Sequence, residues 1–380
     1  MVSDVSKVFA LTGNEAVAWG ARLSRVQVIA AYPITPQTVI VEKLSEWVEK
    51  GELDAEYIRV ESEHSALSAV IGASAAGARA FTATSSHGLF YMYEMVAFAA
   101  GARVPIVMGI VNRFVGPPWN IWADWMDALA TRDLGWIQIW VSNNQEALDS
   151  VIQAYKIAED KHVLLPVMVM LEGFVLSHTS APVSIPDQEA VDEFLPSYNP
   201  PHYVLNPEVS KPFGFGNIVW PWDTVHLRWD MYKAMLNAKG VIEKVVKEYE
   251  ERFGINHGGL IKEYRLDDAE IAIVSMASIA ETAEIVVDEL RKEGIKAGVL
   301  KVRFFRPFPT KEIVKALRDK SKVIVVERSI SLGHDGILAM ELRSVLHRYN
   351  LQIPVYSVSL GLGGDEILPE QIKSVVKEVI

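Results

Sequence analysis

The chain has 380 residues, and at roughly 100–200 residues per domain this length predicts two or three domains. Half of the residues are hydrophobic and the net charge is −11, which argues against disorder and against nucleic-acid binding, because a polyanion requires a basic surface. The chain has no cysteine, which excludes thiolate nucleophiles, disulfides, Cys-ligated zinc and iron-sulfur clusters held by its own thiolates. Any redox cluster is therefore expected on a partner.

Nothing in the sequence indicates membrane insertion or secretion. Residues 1–7 lack the basic-then-apolar order of a signal peptide. One of the longest apolar runs, Val163 to Leu171, contains Pro166 and is far shorter than the roughly 18 residues that span a bilayer. We expect a cytoplasmic chain without membrane contact.

Residues 11–172 alternate short β-branched runs with helical stretches, a pattern typical of a parallel sheet in an α/β fold. The predicted strands are Val28–Tyr32, Tyr57–Val60, Ala80–Thr84, Pro105–Val111, Ile137–Val141 and Leu164–Leu171. The predicted helices lie near 14–23, 37–49, 63–76, 89–100 and 144–159. Residues 180–225 carry eight of the 18 prolines, and we expect a long extended segment that wraps the domain or a partner.

A long helix is predicted from Thr224 to Arg252, with Gly254 after its end and a linker at Gly258-Gly259. The α/β alternation then resumes. The predicted strands are Ile271–Ser275, Ala297–Val302, Val323–Glu327 and Val355–Ser359, and the predicted helices lie near 279–292, 310–318, 336–348 and 368–379. The chain is therefore predicted to form two α/β domains, residues 1–255 and a smaller one at 256–380.

In α/β sheets ligands bind at the carboxyl ends of the strands, so the turns after the strands are where polar residues matter most. In the first such turn, Pro33 and Pro36 hold Thr35 in an extended conformation that presents its hydroxyl. The alternative is a rigid turn in which Thr38 caps the next helix.

The second turn leads into a helix in which Ser62 is a candidate N-cap and Glu63 is the next residue. Glu63 could simply stabilise the first helical turn, an effect of roughly 0.3–1 kcal/mol. Alternatively, its side chain points into a cleft and is desolvated enough to share or donate a proton at neutral pH. The sequence pattern leaves both interpretations open.

Two further turns carry candidate residues. Ser86 and His87 belong to a hydroxyl-rich turn that either contacts a polar ligand or caps a helix beginning at Leu89, and capping is the favoured interpretation. Arg113 ends an apolar strand, and its planar fork suits a carboxylate ligand or a structural salt bridge. Residues 116–136 contain four of the ten tryptophans, which favours packing against another subunit.

Several common motifs are absent. There is no P-loop, no strand-linked Gly-x-Gly-x-x-Gly, no His-Glu-x-x-His and no Gly-x-Ser-x-Gly. Kinase, zinc-protease and esterase activities are therefore disfavoured.

Five motifs together resemble one family over nearly the whole chain. They are Ala31-Tyr32-Pro33-Ile34-Thr35-Pro36, Val60-Glu61-Ser62-Glu63-His64-Ser65-Ala66, Phe81-Thr82-Ala83-Thr84-Ser85, Asn120-Ile121-Trp122 with Arg132-Asp133, and Arg306-Pro307-Phe308-Pro309. In combination they resemble the alpha subunit of archaeal-type 2-oxoacid:ferredoxin oxidoreductases. The resemblance implies a parallel-sheet, pyrimidine-binding thiamine diphosphate domain followed by a smaller α/β domain like the C-terminal domain of transketolases.

The resemblance also implies roles for the candidate residues. The glutamate matching Glu63 hydrogen-bonds the aminopyrimidine ring of thiamine diphosphate and promotes deprotonation of the thiazolium carbon. Thr35 and Arg113 are expected to hold the oxo-acid, with the guanidinium pairing its carboxylate. Pro33, Ser86 and His87 are further candidates for cofactor contact.

The implied reaction is the coenzyme A-dependent oxidative decarboxylation of a 2-oxo acid, with electrons passing to ferredoxin. The chain lacks the Gly-Asp-Gly motif with a later Asn that usually holds Mg²⁺ and the diphosphate, so another chain is expected to hold both, and no metal site is expected here. The resemblance implies a beta subunit with the diphosphate and a cluster, a gamma subunit, a ferredoxin-like delta subunit, and a dimer of heterotetramers.

The sequence departs from the family pattern at two places, where His87-Gly88 replace Gln-Gly and Asp365-Glu366 replace Arg-Asp. The substrate therefore stays open between pyruvate and branched-chain oxo-acids, with Trp119 and residues 90–92 as bulky candidates for shaping the pocket. Two other hypotheses are the pyrimidine-domain chain of another split thiamine enzyme, of the lipoamide-linked or transketolase type, and a non-catalytic structural subunit.

Overall fold

A computed structural model describes residues 7–201, 204–205 and 216–380. The elements up to residue 255 are β1 (Lys7–Thr12), α1 (Gly13–Leu23), β2 (Val28–Ala31), α2 (Thr38–Glu49), β3 (Glu56–Arg59), α3 (Glu63–Ala75), β4 (Ala80–Thr84), α4 (Ser86–Tyr91), α5 (Tyr93–Gly101), β5 (Val107–Asn112), α6 (Met126–Leu129), β6 (Ile137–Trp140), α7 (Asn144–Ala158), β7 (Val167–Glu172), β8 (Ser180–Ile185), α8 (Gln188–Phe194) and α9 (Pro221–Phe253).

The remaining elements form a second α/β region. They are β9 (Ile261–Tyr264), β10 (Ile271–Ser275), α10 (Ala277–Lys292), β11 (Ala297–Val302), β12 (Phe304–Arg306), α11 (Thr310–Leu317), β13 (Lys322–Glu327), α12 (Ile337–Arg348), β14 (Val355–Ser359), a short 3₁₀ turn (Leu362–Gly364) and α13 (Pro369–Val379).

The largest sheet has seven strands in the order β12-β6-β7-β5-β4-β2-β3. Adjacent strands in this sheet run parallel, except for the antiparallel pair of β12 and β6. Strands β4, β5, β6 and β7 are buried along their whole length, because helices cover both faces of the sheet. Two apolar cores result, one on each face, and the core that contains α5 and α6 continues into the second region. The predicted parallel-sheet α/β fold is confirmed.

The second sheet has the order β14-β13-β10-β11-β9, with β9 antiparallel to β11. Only Arg303 separates β11 from β12, yet β12 pairs with β6 of the first sheet. Residues after 255 therefore form the whole second sheet and also contribute one strand, β12, to the first.

All ten predicted strands are present, displaced by at most three residues at either end. The predicted long helix is α9, and Gly254 follows it with a left-handed φ of 69°. The predicted helix near 89–100 is two helices, α4 and α5. None of the helices in the described residues combines the length and apolarity that a bilayer crossing requires.

The prediction of an extended segment over 180–225 is wrong in part. Residues 180–185 form β8, which pairs with β1, but residues 188–194 form α8, whose Val191 and Phe194 are buried. Residues 202–203 and 206–215 of that segment, and residues 1–6, lie outside the described part of the chain. Apolar side chains at three-residue spacing explain why a proline-rich stretch still contains a helix.

A buried charge cluster fastens the two regions together. The Glu146 carboxylate, on α7, accepts hydrogen bonds from Lys301 at 2.5 Å and Arg303 at 2.7 Å, and all three side chains are almost fully buried. Burial opposes ionisation of Glu146, but the charges of Lys301 and Arg303 outweigh it and hold the pKa of Glu146 well below its ordinary value. This cluster sets the second region against α7.

Candidate active site

The turns that follow β2, β3, β4 and β5 lie at one edge of the seven-stranded sheet, since these strands run parallel. This edge is where α/β sheets bind ligands. The candidate catalytic and cofactor-binding residues predicted from the sequence all follow these four strands.

Arg113 directly follows β5 and is 4% exposed. Its guanidinium donates to the Thr35 carbonyl oxygen at 2.6 Å and lies 3.0 Å from Nδ1 of His87. Its Nε is buried and has no hydrogen-bond partner among the residues that the structure describes. Burial lowers the pKa of Arg113. The charges of Asp127 and Glu63 act on Arg113, but within the described residues no carboxylate forms a direct ion pair with it, so the structural salt bridge considered above is not formed there.

Thr35 is exposed, and its carbonyl rather than its hydroxyl contacts Arg113. Gln37 holds the turn in place by donating through Nε2 to the Ala83 carbonyl at 2.7 Å. The prediction that Thr38 caps the next helix is wrong, because Thr38 is the first residue of α2 and Gln37 occupies the cap position. The turn is thus pinned to β4, next to the strand that carries Arg113.

Glu63 begins α3, and Ser62 is its N-cap, as predicted, accepting a hydrogen bond from the Ser65 N–H. The Glu63 side chain is buried, with 7% exposure, against Gly88. A Cβ at position 88 would lie 2.5 Å from Oε1 of Glu63 and 2.5 Å from Oγ1 of Thr84. Only glycine at position 88 leaves room for this carboxylate.

The helix predicted to begin at Leu89 begins three residues earlier, at Ser86, so its predicted first residue is wrong. The Ser86 hydroxyl donates to the Phe114 carbonyl at 2.6 Å, which ties the turn after β4 to the turn after β5. His87 is exposed on one side and contacts Arg113, and partial desolvation together with the charge of Arg113 lowers the pKa of His87. The structure therefore brings together Thr35, Arg113 and His87.

Asp127, at the start of α6, was not predicted as a site residue. Its carboxylate accepts from the Ser86 and Arg113 backbone N–H groups at 3.0 Å each, from Nδ2 of Asn112 at 2.8 Å and from the Ala128 N–H at 2.7 Å. Burial raises the pKa of Asp127 to about 7 despite these four donors. The buried Asp127 carboxyl thus holds the turn after β4 and the turn after β5 together. Because most of its donors are backbone groups, no residue spacing in the sequence predicts this role.

Pro33 is the remaining predicted candidate at this edge. It is exposed and, with Tyr32, Glu42 and Arg59, lines an open cavity of about 450 Å³ beside β3. Thr84 Oγ1, which lies against Gly88 as the Glu63 carboxylate does, is buried and has no hydrogen-bond partner in the described part of the chain. The site therefore combines a buried acid, a buried guanidinium and an unpaired hydroxyl.

Comparison with protein families gives two matches that cover most of the chain. Residues 19–247 match the thiamine diphosphate-binding family of pyruvate flavodoxin/ferredoxin oxidoreductases. Residues 269–372 match core domain II of pyruvate:ferredoxin oxidoreductase.

Two curated relatives are similar over almost their full length. The pyruvate synthase subunit PorA of Methanocaldococcus jannaschii is 50% identical, with 98% of this chain and 95% of the relative covered. The ketoisovalerate oxidoreductase subunit VorA of Pyrococcus horikoshii is 44% identical, with 97% and 92% covered.

Two solved structures share the fold. The 2-oxoglutarate:ferredoxin oxidoreductase from Magnetococcus marinus, with 2-oxoglutarate, coenzyme A and succinyl-CoA bound, superposes with a TM-score of 0.75 at 19% identity. The match covers 98% of this chain and 65% of that one. A split-gene transketolase superposes with a TM-score of 0.55 at 13% identity, covering 97% and 98%.

Proposed function

Because the chain belongs to the family of alpha subunits of 2-oxoacid:ferredoxin oxidoreductases, we propose that it takes part in the thiamine diphosphate-dependent, coenzyme A-dependent oxidative decarboxylation of a 2-oxo acid. The products are an acyl-CoA and CO₂, and the electrons pass to ferredoxin. One observation carries the proposal: a carboxylate buried over Gly88 lies at the same sheet edge as a buried guanidinium that lacks an ion-pair partner among the described residues.

The residues present fit the polar ring of thiamine diphosphate. Glu63 and Thr84 border the same space above Gly88, and the Thr84 hydroxyl has no partner within the described residues. Glu63 would hold the aminopyrimidine ring through a shared proton, and Pro33, Ser86 and His87 would border the cofactor. When bound, the cofactor supplies a nucleophilic carbon that activates the oxo-acid for loss of CO₂.

Glu63 acts as a proton-transfer group in this proposal. Its burial removes water that would otherwise compete for the proton, and its place in the first turn of α3 puts it in the favourable field of the helix dipole. The neighbouring Glu61 is exposed and accepts from the Ser65 hydroxyl, so it is not suited to the same role.

Arg113 and Thr35 hold the oxo-acid. A buried guanidinium that forms no direct ion pair among the described residues pays a desolvation cost that a bound carboxylate offsets. The Thr35 carbonyl and His87 orient Arg113 from two sides, which leaves its other N–H groups for the substrate. Thr35 itself is exposed, so its hydroxyl is accessible to the same ligand.

The remaining functions are assigned to partner chains. The absence of cysteine supports assigning the iron-sulfur clusters to a partner, and the missing Gly-Asp-Gly motif supports the same assignment for Mg²⁺ and the diphosphate. The names of the relatives describe subunits, which indicates a multi-subunit enzyme. We assign the diphosphate and a cluster to a beta subunit, with gamma and ferredoxin-like delta subunits completing a dimer of heterotetramers.

The test is coenzyme A-dependent viologen reduction by the purified complex, with pyruvate, 2-oxoisovalerate and 2-oxoglutarate as substrates. Glu63→Ala should lower the rate by roughly 10²–10⁴-fold while the complex still assembles. Glu61→Ala is the matched control and should retain the rate. Full activity in an assembled Glu63→Ala complex would overturn the proposal, and acyl transfer to lipoamide in place of viologen reduction would indicate another split thiamine enzyme.

A further inference from the structure

The segment between β5 and α6, residues 114–125, is named here the tryptophan loop. It closes on itself through a hydrogen bond from the Phe114 N–H to the Trp122 carbonyl at 3.0 Å. Trp119 lies beside Arg113, the group proposed to bind the substrate carboxylate and called here the carboxylate anchor. The centre of the Trp119 ring is 5.3 Å from the guanidinium carbon of Arg113 and 5.9 Å from the centre of the His87 ring, which it meets edge to face. The loop therefore supplies an aromatic wall to the site.

Gly363 of the second region forms two hydrogen bonds with this loop. Nδ2 of Asn120 donates to the Gly363 carbonyl at 2.8 Å, and the Gly363 N–H donates to the Asp124 carboxylate at 2.9 Å. Oδ1 of Asn120 also accepts from the Trp122 N–H at 2.9 Å. The Asn120 side chain thus joins both sides of the loop to the turn at residues 361–364, here named the glycine turn.

At Gly364 the glycine turn packs too closely on the loop for any larger residue. A Cβ on Gly364 would lie 2.1 Å from Cβ of Trp122, and φ is 64° at Gly363 and 89° at Gly364. These are left-handed conformations that favour glycine. The close packing means that the turn fixes where the loop lies.

The glycine turn is itself anchored to the first sheet. Arg328, which follows β13, donates to the Gly361 carbonyl at 2.7 Å and to the Glu172 carboxylate at 3.1 Å. The Arg328 carbonyl accepts from the Trp125 N–H at 3.2 Å, and Nε1 of Trp125 donates to Glu172 at 3.0 Å. The far end of the tryptophan loop is therefore held by the same buried group as the turn.

We propose that the glycine turn selects the substrate by holding Trp119 beside Arg113, with Asn120 as the positioning residue. The indole occupies space next to the carboxylate anchor, so it favours an oxo-acid with a small side chain, such as pyruvate, over a branched one. This inference rests on the proposed function, because it takes Arg113 as the group that binds the carboxylate. It gives the second region a part in substrate selection without placing any of its residues in contact with the substrate.

The test measures kcat and KM of the assembled complex for pyruvate and for 2-oxoisovalerate. Trp119→Ala should move the ratio of the two kcat/KM values toward 2-oxoisovalerate by about 10-fold or more, the effect of one or more methylene groups in a pocket. Asn120→Ala should move it in the same direction, mainly through KM, and the double variant should shift it no further than Trp119→Ala alone. The milder Asn120→Asp removes the donor to Gly363 but keeps the acceptor for Trp122, and should act like Asn120→Ala.

Asn256→Ala is the matched control, because Asn256 also joins a loop N–H, that of Gly258, to an acceptor, Glu250, but does so far from this loop in sequence. It should leave the ratio unchanged. An unchanged ratio in Trp119→Ala or Asn120→Asp, or additive shifts in the double variant, would overturn the inference. Failure of the proposed function has a different signature, which is full activity of Glu63→Ala with both substrates.

Discussion

Replacing Glu146 with glutamine would remove the carboxylate that pairs with two buried cations, Lys301 and Arg303. Removing one partner of a buried ion pair costs about 3–5 kcal/mol. At about 2–4 °C per kcal/mol for domains of 150–250 residues, this corresponds to a fall of roughly 6–20 °C in the thermal midpoint. Differential scanning calorimetry of the purified chain measures it. Glu281→Gln is the control, because Glu281 accepts from Ser142 in the same cluster but forms no ion pair within the described residues.

The pH dependence of this cost has a defined sign. The pKa of Glu146 is depressed in the folded chain, so its stabilisation is fully present above the unfolded value of 4.5 and is lost as the pH falls below that value. The glutamine variant has no carboxyl to protonate at this position. The difference in midpoint between the two proteins should therefore narrow as the pH falls from about 6 to about 3. A difference below 2 °C at about pH 7, or one that widens in acid, would refute this account of the cluster.

Three further predictions concern the site. Gly88→Ala should displace the Glu63 carboxylate and lower activity by about 10²-fold in a folded chain, whereas Gly72→Ala, where a Cβ meets nothing within 4 Å, should not; equal activities would contradict the packing argument. Arg113→Lys should raise KM for the oxo-acid about 10-fold or more with a smaller change in kcat, since a charged hydrogen bond contributes about 1.5–3 kcal/mol. An unchanged KM in steady-state kinetics would show that Arg113 does not bind the substrate. Because burial raises the pKa of Asp127 to about 7, its carboxyl infrared band should titrate near that pH and be missing from Asp127→Asn.

The parallel sheets could be predicted because buried strands are nearly continuous apolar runs. Strands β1, β8, β9 and β12 escaped prediction for different reasons. β1 and β8 form a separate two-stranded sheet with many exposed residues, so neither has a buried apolar run. β12 is three residues long and follows β11 after one residue, and no periodicity shows that the chain has changed sheets there.

The candidate site could be predicted in part. Thr35, Glu63 and Arg113 each follow a recognisable strand, and the rule that ligands bind at strand ends points to all three. The role of Asp127 depends on where backbone N–H groups converge, and the contact between Asn120 and Gly363 joins residues 243 positions apart. Side-chain contacts of that range depend on how the two regions pack, which local patterns do not contain.

Because β12 follows the long helix α9 but pairs with β6 in the first sheet, the two regions depend on each other when the chain is produced. A polypeptide that stopped after α9 would leave one side of β6 without its antiparallel neighbour and α7 without the cations that face Glu146. An exposed strand edge next to an uncompensated acid favours aggregation over folding. Attempts to express the halves as separate fragments should therefore give insoluble material, and a recombinant form of the first half would need the residues up to β12 to fold in solution.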